Sequence, residues 1–207
     1  IRCIVSKEGD KIVARTRNGR EIDSIPHIIR SLRGLFLEDE NLILDGELYN
    51  HELKEDFNKI TSLVRKQKPK RTSSDTDASF EKKQEEFKES LKESEEMIQY
   101  WIYDAPRIAG HTEDMSFEIR NEALSFTITY VPFVVVVPTT PINNLILLDS
   151  VYDTYMSQGY EGQMIRLDKP YENKRSKSLL KRKEFQDAEY KVLDIDEGNG
   201  NRKGTAK

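Results

Sequence analysis

A single cysteine, Cys3, lies in an apolar run near the start of the chain. One thiol cannot close an internal disulfide, and a lone cysteine in a strand-like run is expected in the core. That usage favours an intracellular setting. No run of about 18 or more apolar residues occurs, so no segment reads as a membrane span. The opening residues carry no secretory pattern. The chain also lacks an excess of positive charge: 33 Lys and Arg face 37 Asp and Glu, for a net charge of −4. Overall charge therefore does not announce nucleic-acid binding, although a local basic groove remains compatible with it. No internal repeat is present. There is no initiator methionine, and the chain begins inside an apparent strand, so a fragment cut at both ends is expected.

What is present suits a folded protein of one domain or slightly more: 207 residues, 36 % hydrophobic and 34 % charged. Much of the polarity falls in one segment. "IRCIV" and "KIVART" read as strands joined by the turn "SKEGD", and Asn18-Gly19 signals a second turn. "SIPHIIRSLRGLF" has helical spacing at Ile25, Ile28, Ile29, Leu32 and Leu35, with Ser24 as expected N-cap. "NLILDGELYN" reads as strand. "DFNKITSLVRK" reads as helix, with Phe57, Ile60 and Leu63/Val64 on one face. Residues 66–79, "KQKPKRTSSDTDAS", are expected to form a mobile loop. "FEKKQEEFKESLKESEE" then reads as an exposed helix with a thin stripe of Phe80, Phe87 and Leu91.

Further on, "MIQYWIYDAP" predicts a buried strand ended by its proline. "MSFEIRNEALSF" reads as helix and "FVVVVPT" as a fully buried strand. "NNLILLDSVYDTYMSQG" reads as a helix closed by Gly159. "EGQMIRL", "SLLKRKEF" and "AEYKVLDID" predict three more strands. Mixed elements with antiparallel hairpins make the class α+β.

Chemistry concentrates in four places. In "LILDGELY" the Asp-Gly pair reads first as a turn, and Glu47 follows it inside an apolar strand. Its carboxylate must meet solvent, a cation or a donor, because an unpaired buried charge is too costly. In "YWIYDAP" alternation puts Trp101 and Tyr103 on one face and Tyr100 and Ile102 on the other. Such rings are most often core, but one at a pocket wall offers a base a stacking surface worth roughly 1–3 kcal/mol. In "EGQMIRL", Glu161 precedes Gly162, where backbone can approach closely, and Met164 and Arg166 face away from Gln163 and Ile165. In "SLLKRKEF", Lys181 and Lys183 share a strand face. Like charges so close repel unless water screens them or an anion joins them, and phosphate is such an anion. Each signal alone is matched by a plain reading: a hairpin turn, a core strand, an edge hairpin with charged tips and a solvated strand face.

Taken in order, "TRNG", "LDGEL", "YWIYD", "EGQMIR" and "SLLKRK" resemble successive motifs of the ATP-dependent DNA ligases, within the covalent nucleotidyltransferase superfamily and nearest to phage-type enzymes. The resemblance runs along the whole chain. It implies a nucleotidyltransferase core with ATP-grasp-like antiparallel sheets and flanking helices over residues 1–186, a polar insert at 66–96, and the start of an OB-fold domain at 187–207. By that resemblance Glu47 would meet the ribose or a metal-bound water, Tyr103 would stack on adenine, and Glu161 would bind Mg²⁺. Lys181 and Lys183 would hold the α-phosphate. Arg17 would meet the 5′-phosphate of the nick, Arg166 would join the nucleotide-binding set, and Arg2 would close the Lys-x-Asp-Gly-x-Arg motif.

The resemblance also implies ATP and Mg²⁺ as cofactors, nicked duplex DNA and AMP as partners, and a monomer. It implies action in cytoplasm, including that of a phage-infected host or its nucleoid, in DNA repair, replication and recombination. One departure is plain. No Lys-x-Asp-Gly occurs, and Asp45-Gly46 has Ile43 where the nucleophilic lysine would stand. These 207 residues alone are therefore expected to be inactive in self-adenylation. Alternative readings are an RNA ligase, an mRNA capping-type nucleotidyltransferase, a nucleotide-free scaffold, or a non-catalytic binding module using residues 66–96.

Overall fold

The computed structural model describes residues 1–184, 189, 191–200 and 203–205. The chain divides into two compact units: Ile1–Pro141 with Arg166–Leu180, and Ile142–Ile165 with Lys181–Lys207.

The first unit is built on a five-stranded sheet in the order β2-β1-β3-β4-β5. Its strands are β1 (Arg2–Glu8), β2 (Lys11–Thr16), β3 (Ile43–Tyr49), β4 (Gln99–Arg107) and β5 (Val134–Val136). β1 pairs antiparallel with β2 through Glu8↔Lys11, so the hairpin loop is only Gly9-Asp10, shorter than "SKEGD" suggests. Gly9 has φ +59°, a left-handed value that glycine takes without steric cost. β4 runs past Pro106 rather than ending before it. β5 pairs parallel to β4, so the sheet is mixed. This strand has three half-buried residues at the sheet edge and is not the fully buried strand its four valines predict.

Helices α1 (Pro26–Glu38), α2 (Phe57–Val64), α3 (Asp77–Met97) and α4 (Phe117–Thr127) flank this sheet. α1 exists because Ile28, Leu32 and Phe36 recur every fourth residue and are all at most 2 % exposed. Burying each stabilises the fold by roughly 1.5–3 kcal/mol. Ser24 does not cap α1. Its hydroxyl donates instead to the Val64 carbonyl (2.9 Å), and Ile25 takes the cap position with no side-chain bond. Asp56 does cap α2, accepting from Lys59 N. Phe57 leaves the face expected of it and is 60 % exposed, whereas Ile60, Leu63 and Val64 are buried.

Residues 66–76 contain neither helix nor strand, and Thr76 caps α3. The buried positions of α3 are the small side chains Ser90 and Ser94, while Phe80, Phe87 and Leu91 are half-buried. Cys3 is fully buried in the core with Val5, Leu44, Tyr100 and Ile102.

The second unit carries α5 (Leu145–Ser157). Asn144 caps its start, and Gly159 (φ +83°) ends it. Gly159 N–H donates to Met156 O and Tyr160 N–H to Tyr155 O, the paired bonds of a glycine-terminated helix. β6 (Gly162–Arg166) and β7 (Leu179–Lys183) form a separate two-stranded sheet. The last expected strand, "AEYKVLDID", falls partly outside the described residues at Ala188 and Tyr190. Lys191–Asp196 are not strand.

Candidate functional site

β3 carries Asp45, Gly46 and Glu47 in its interior, so the Asp-Gly pair is not a turn. Glycine stands there because β4 passes too close for anything larger. A Cβ on Gly46 would lie 2.4 Å from Trp101 O and 2.6 Å from Tyr100 Cε2. The register shifts at this point: Asp45 pairs with Asp104 but Gly46 with Ile102, leaving Tyr103 as the extra residue of a β-bulge. Bulges commonly re-aim a side chain beside a functional site.

Asp45 is 2 % exposed and fully engaged. Arg2 grips it with two bonds, Nε to Oδ1 (2.9 Å) and Nη2 to Oδ2 (2.7 Å). Tyr103 OH donates to Oδ1 (3.2 Å) and Tyr171 OH to Oδ2 (2.9 Å). The bond to Asp45 holds the Arg2 guanidinium even more firmly protonated than usual. Burial, then the Asp45 charge, pushes the Tyr103 and Tyr171 phenols up, so both remain donors. Tyr103 is thus a half-buried ring whose hydroxyl is anchored, next to the fully buried Tyr100 and Ile102 on the other face.

Asp104 is the second buried carboxylate. Arg120 binds it twice, Nε to Oδ1 (2.9 Å) and Nη2 to Oδ2 (3.1 Å), and Arg166 Nη1 also binds Oδ2. The Arg166 guanidinium lies 4.4 Å from the Phe117 ring centre and 5.7 Å from that of Tyr103.

Other sequence candidates in this unit stand apart from these bonds. Glu47 pairs in register with Arg2 and Trp101, and its half-exposed carboxylate accepts from the Ile1 amino group (2.9 Å). Arg17 is exposed in the turn after β2. Asp45, Asp104, Arg120 and Tyr171 were not among the candidates read from sequence. The available signal was a carboxylate inside each of two apolar strands, which demands a partner.

In the second unit Glu161 and Lys181 meet: Lys181 Nζ donates to Glu161 Oε2 at 3.2 Å. Gly162 allows it, since a Cβ there would lie 2.1 Å from Arg182 O. Lys181 and Lys183 alternate with Arg182, which binds Asp149 of α5 (2.7 Å) and covers the Tyr152 ring at 4.2 Å. Arg182 therefore anchors β7 to α5, while Lys181 stays half-exposed. An exposed carboxylate beside an ammonium can exchange that partner for a cation or phosphate at little cost.

Residues 1–183 match the family model of the ATP dependent DNA ligase domain. The chain belongs to that family. Among solved structures, Pmar-Lig_PreS3 shares 21 % identity at a TM-score of 0.65, over all of this chain and 45 % of that one. A Lig E DNA ligase shares 23 % at 0.64, over all of this chain and 67 % of that one. The Chlorella virus DNA ligase–adenylate shares 22 % at 0.57, over 96 % of this chain and 64 % of that one. These likenesses show the α+β ligase fold. The chain spans 45 % of the length of Pmar-Lig_PreS3 and of Pmar-Lig_Pre.. No curated protein sequence matches it. Among the described residues no helix is long and apolar enough to cross a membrane.

Proposed function

We propose that this ligase domain is the adenylation-domain part of an intracellular enzyme that seals nicks in duplex DNA through lysyl-AMP and DNA-adenylate intermediates. The observation that carries the reading is the meeting of Glu161 with Lys181, two residues from Lys183, on a strand pair whose intervening Arg182 is tied down. Cations on a fixed strand offset phosphate charge as it develops, which is the main catalytic requirement in phosphoryl chemistry. Lys181 and Lys183 would hold the α-phosphate of ATP. Tyr103, its hydroxyl held by Asp45, would offer its ring to the adenine, and Glu47 would take the ribose. Arg2 acts on this reading by holding Asp45, and Arg166 by flanking Tyr103.

Mg²⁺ fits the donors present. It keeps several waters and binds through one or two carboxylates plus substrate phosphates; Glu161 in the second unit is an exposed carboxylate of that kind, and so, within the first unit, is Glu47. When bound it would supply charge neutralisation at the phosphate. The nucleophilic lysine of the first step belongs to the Lys-x-Asp-Gly element, which these 207 residues do not contain. The test therefore uses a longer protein in which this chain is joined to a Lys-x-Asp-Gly element. Glu161→Ala should abolish sealing of a nicked duplex and leave the melting temperature unchanged. Normal sealing by that variant would overturn the assignment.

A further inference from the structure

The chain is acidic overall, yet six cations gather on one part of the first unit. Arg17 and Arg20 lie in the turn after β2. Arg65, Lys66, Lys68 and Lys70 follow α2 in the segment that opens the polar insert. Three contacts hold that segment against the turn's continuation. Ser24 Oγ donates to Val64 O (2.9 Å), Gln67 Nε2 to Glu21 O (3.2 Å), and Lys68 N–H to Asp23 Oδ2 (3.1 Å). The turn is pinned in turn by Thr16 N–H to Arg20 O (2.8 Å) and Arg15 to Gly19 O (3.0 Å).

Several neighbouring cations are paired. Arg15 binds Glu8, Lys59 binds Glu93, Arg71 binds Asp77, and Lys83 binds Asp75. Among the described residues, Arg17, Arg20, Arg65, Lys66, Lys68 and Lys70 form no ion pair and are all exposed. Glu21 and Asp23 are the carboxylates within the same stretch, and Asp23 already accepts from backbone. Uncompensated like charges held on an ordered surface repel one another, and a polyanion relieves that repulsion.

We infer that the Arg65–Lys70 strap, with Arg20, is a second contact surface for the phosphate backbone of duplex DNA, outside the adenylate pocket and blind to sequence. This rests on the ligase reading above; the resemblance seen in the sequence implies in addition that Arg17 of the adjoining turn meets the nick's 5′-phosphate. The strap is bonded to residues 21–24, the continuation of the turn that carries Arg17. An extended chain covers at most about 3.6 Å per residue, so the six-residue strap spans no more than roughly 20 Å. Each duplex strand presents a phosphate about every 3.4 Å along its axis, enough anions to meet all four strap cations.

The test uses the longer protein and two labelled duplexes, one intact and one with a single nick, titrated from low to physiological salt. Each lost phosphate contact removes about 0.9 from the slope of log affinity against log salt. The triple variant Lys66→Gln, Lys68→Gln, Lys70→Gln should flatten that slope by about 2–3 on both duplexes, with an unchanged melting temperature. Arginine at the same three positions should restore it. If wild type binds and seals but the glutamine variant keeps its slope, the strap inference fails and the ligase reading stands. If wild type binds neither duplex, both fall.

Discussion

Asp45 and Asp104 are register partners across β3 and β4, and each buried carboxylate is neutralised by arginine from a different element. The two clusters are joined by tyrosines. Tyr103 and Tyr171 donate to Asp45, while Arg166 and Arg120, the partners of Asp104, lie over their respective rings at 5.7 and 5.8 Å. The ring proposed to stack on adenine is therefore held at its hydroxyl by one ion cluster and flanked on its face by the other.

That network is asymmetric, and the asymmetry is measurable. Asp104 has two arginines, but Arg120, 1 % exposed, has one carboxylate. Asp104→Ala should strand a buried guanidinium and cost about 3–5 kcal/mol. Arg120→Met leaves Asp104 paired with Arg166 and bonded to Ala105 N–H, and should cost roughly half as much. Denaturant unfolding of both variants decides it. Equal losses would mean that Arg166 does not sustain Asp104.

Two glycines should respond in opposite directions to alanine. At Gly46 the new methyl would meet the Trp101 carbonyl and the Tyr100 ring, and β3 and β4 would have to part. The expected loss is about 3 kcal/mol or more, the upper range of overpacking. Gly34 lies inside α1 with nothing near its Cβ position. Gly34→Ala should stabilise by about 0.5–1 kcal/mol through helix propensity alone. Thermal melts of the pair test both signs.

The contrast shows how much was legible in the sequence. Periodicity located α1, α4 and α5 and the strands around Glu47, Tyr103, Glu161 and Lys181, and α1, β3 and β4 bury the repeating apolar face it predicts. Local rules failed where a distant segment claimed the residue. Ser24 has a cap-forming hydroxyl, but Val64 O takes it from 40 positions away. Asp45-Gly46 has turn propensity, but the crossing of β4 decides its conformation. Tyr171 sits in a charged stretch with no apolar pattern, and its bond to Asp45 spans 126 positions. The placement of Lys181 and Lys183 to one side of Arg182 needed only the alternation of a strand.

Acid should destabilise the first unit through His27. The ring is 1 % exposed, Nε2 donates to Ile98 O (3.0 Å), and buried Nδ1 has no partner among the described residues. Burial therefore depresses the imidazole's pKa below its ordinary 6.5. The folded state binds fewer protons than the unfolded chain below that value, so the stability is present above 6.5 and is lost as pH falls through the folded pKa. His27→Gln can keep a donor to Ile98 O but cannot titrate. Its melting temperature should fall less between pH 7 and pH 5 than that of wild type. Parallel curves would remove His27 as the source.

Alternating residues of β7 should separate catalysis from stability. Lys181 is half-exposed and its partner Glu161 largely so, so its removal should leave folding intact. If it stabilises charge on a transferring phosphate, Lys181→Ala in the longer protein should slow sealing by about 10²–10³-fold, the usual effect of losing one such donor. Lys183→Ala should behave alike if both lysines grip one phosphate. Arg182 turns instead to Asp149 and the Tyr152 ring. Arg182→Ala should cost about 1 kcal/mol of stability, the sum of a surface ion pair and an exposed cation–π contact. Its effect on the sealing rate should be small. Single-turnover sealing beside thermal melts distinguishes the three, and a fast Lys181→Ala enzyme would show that β7 presents its lysines to water and not to a nucleotide.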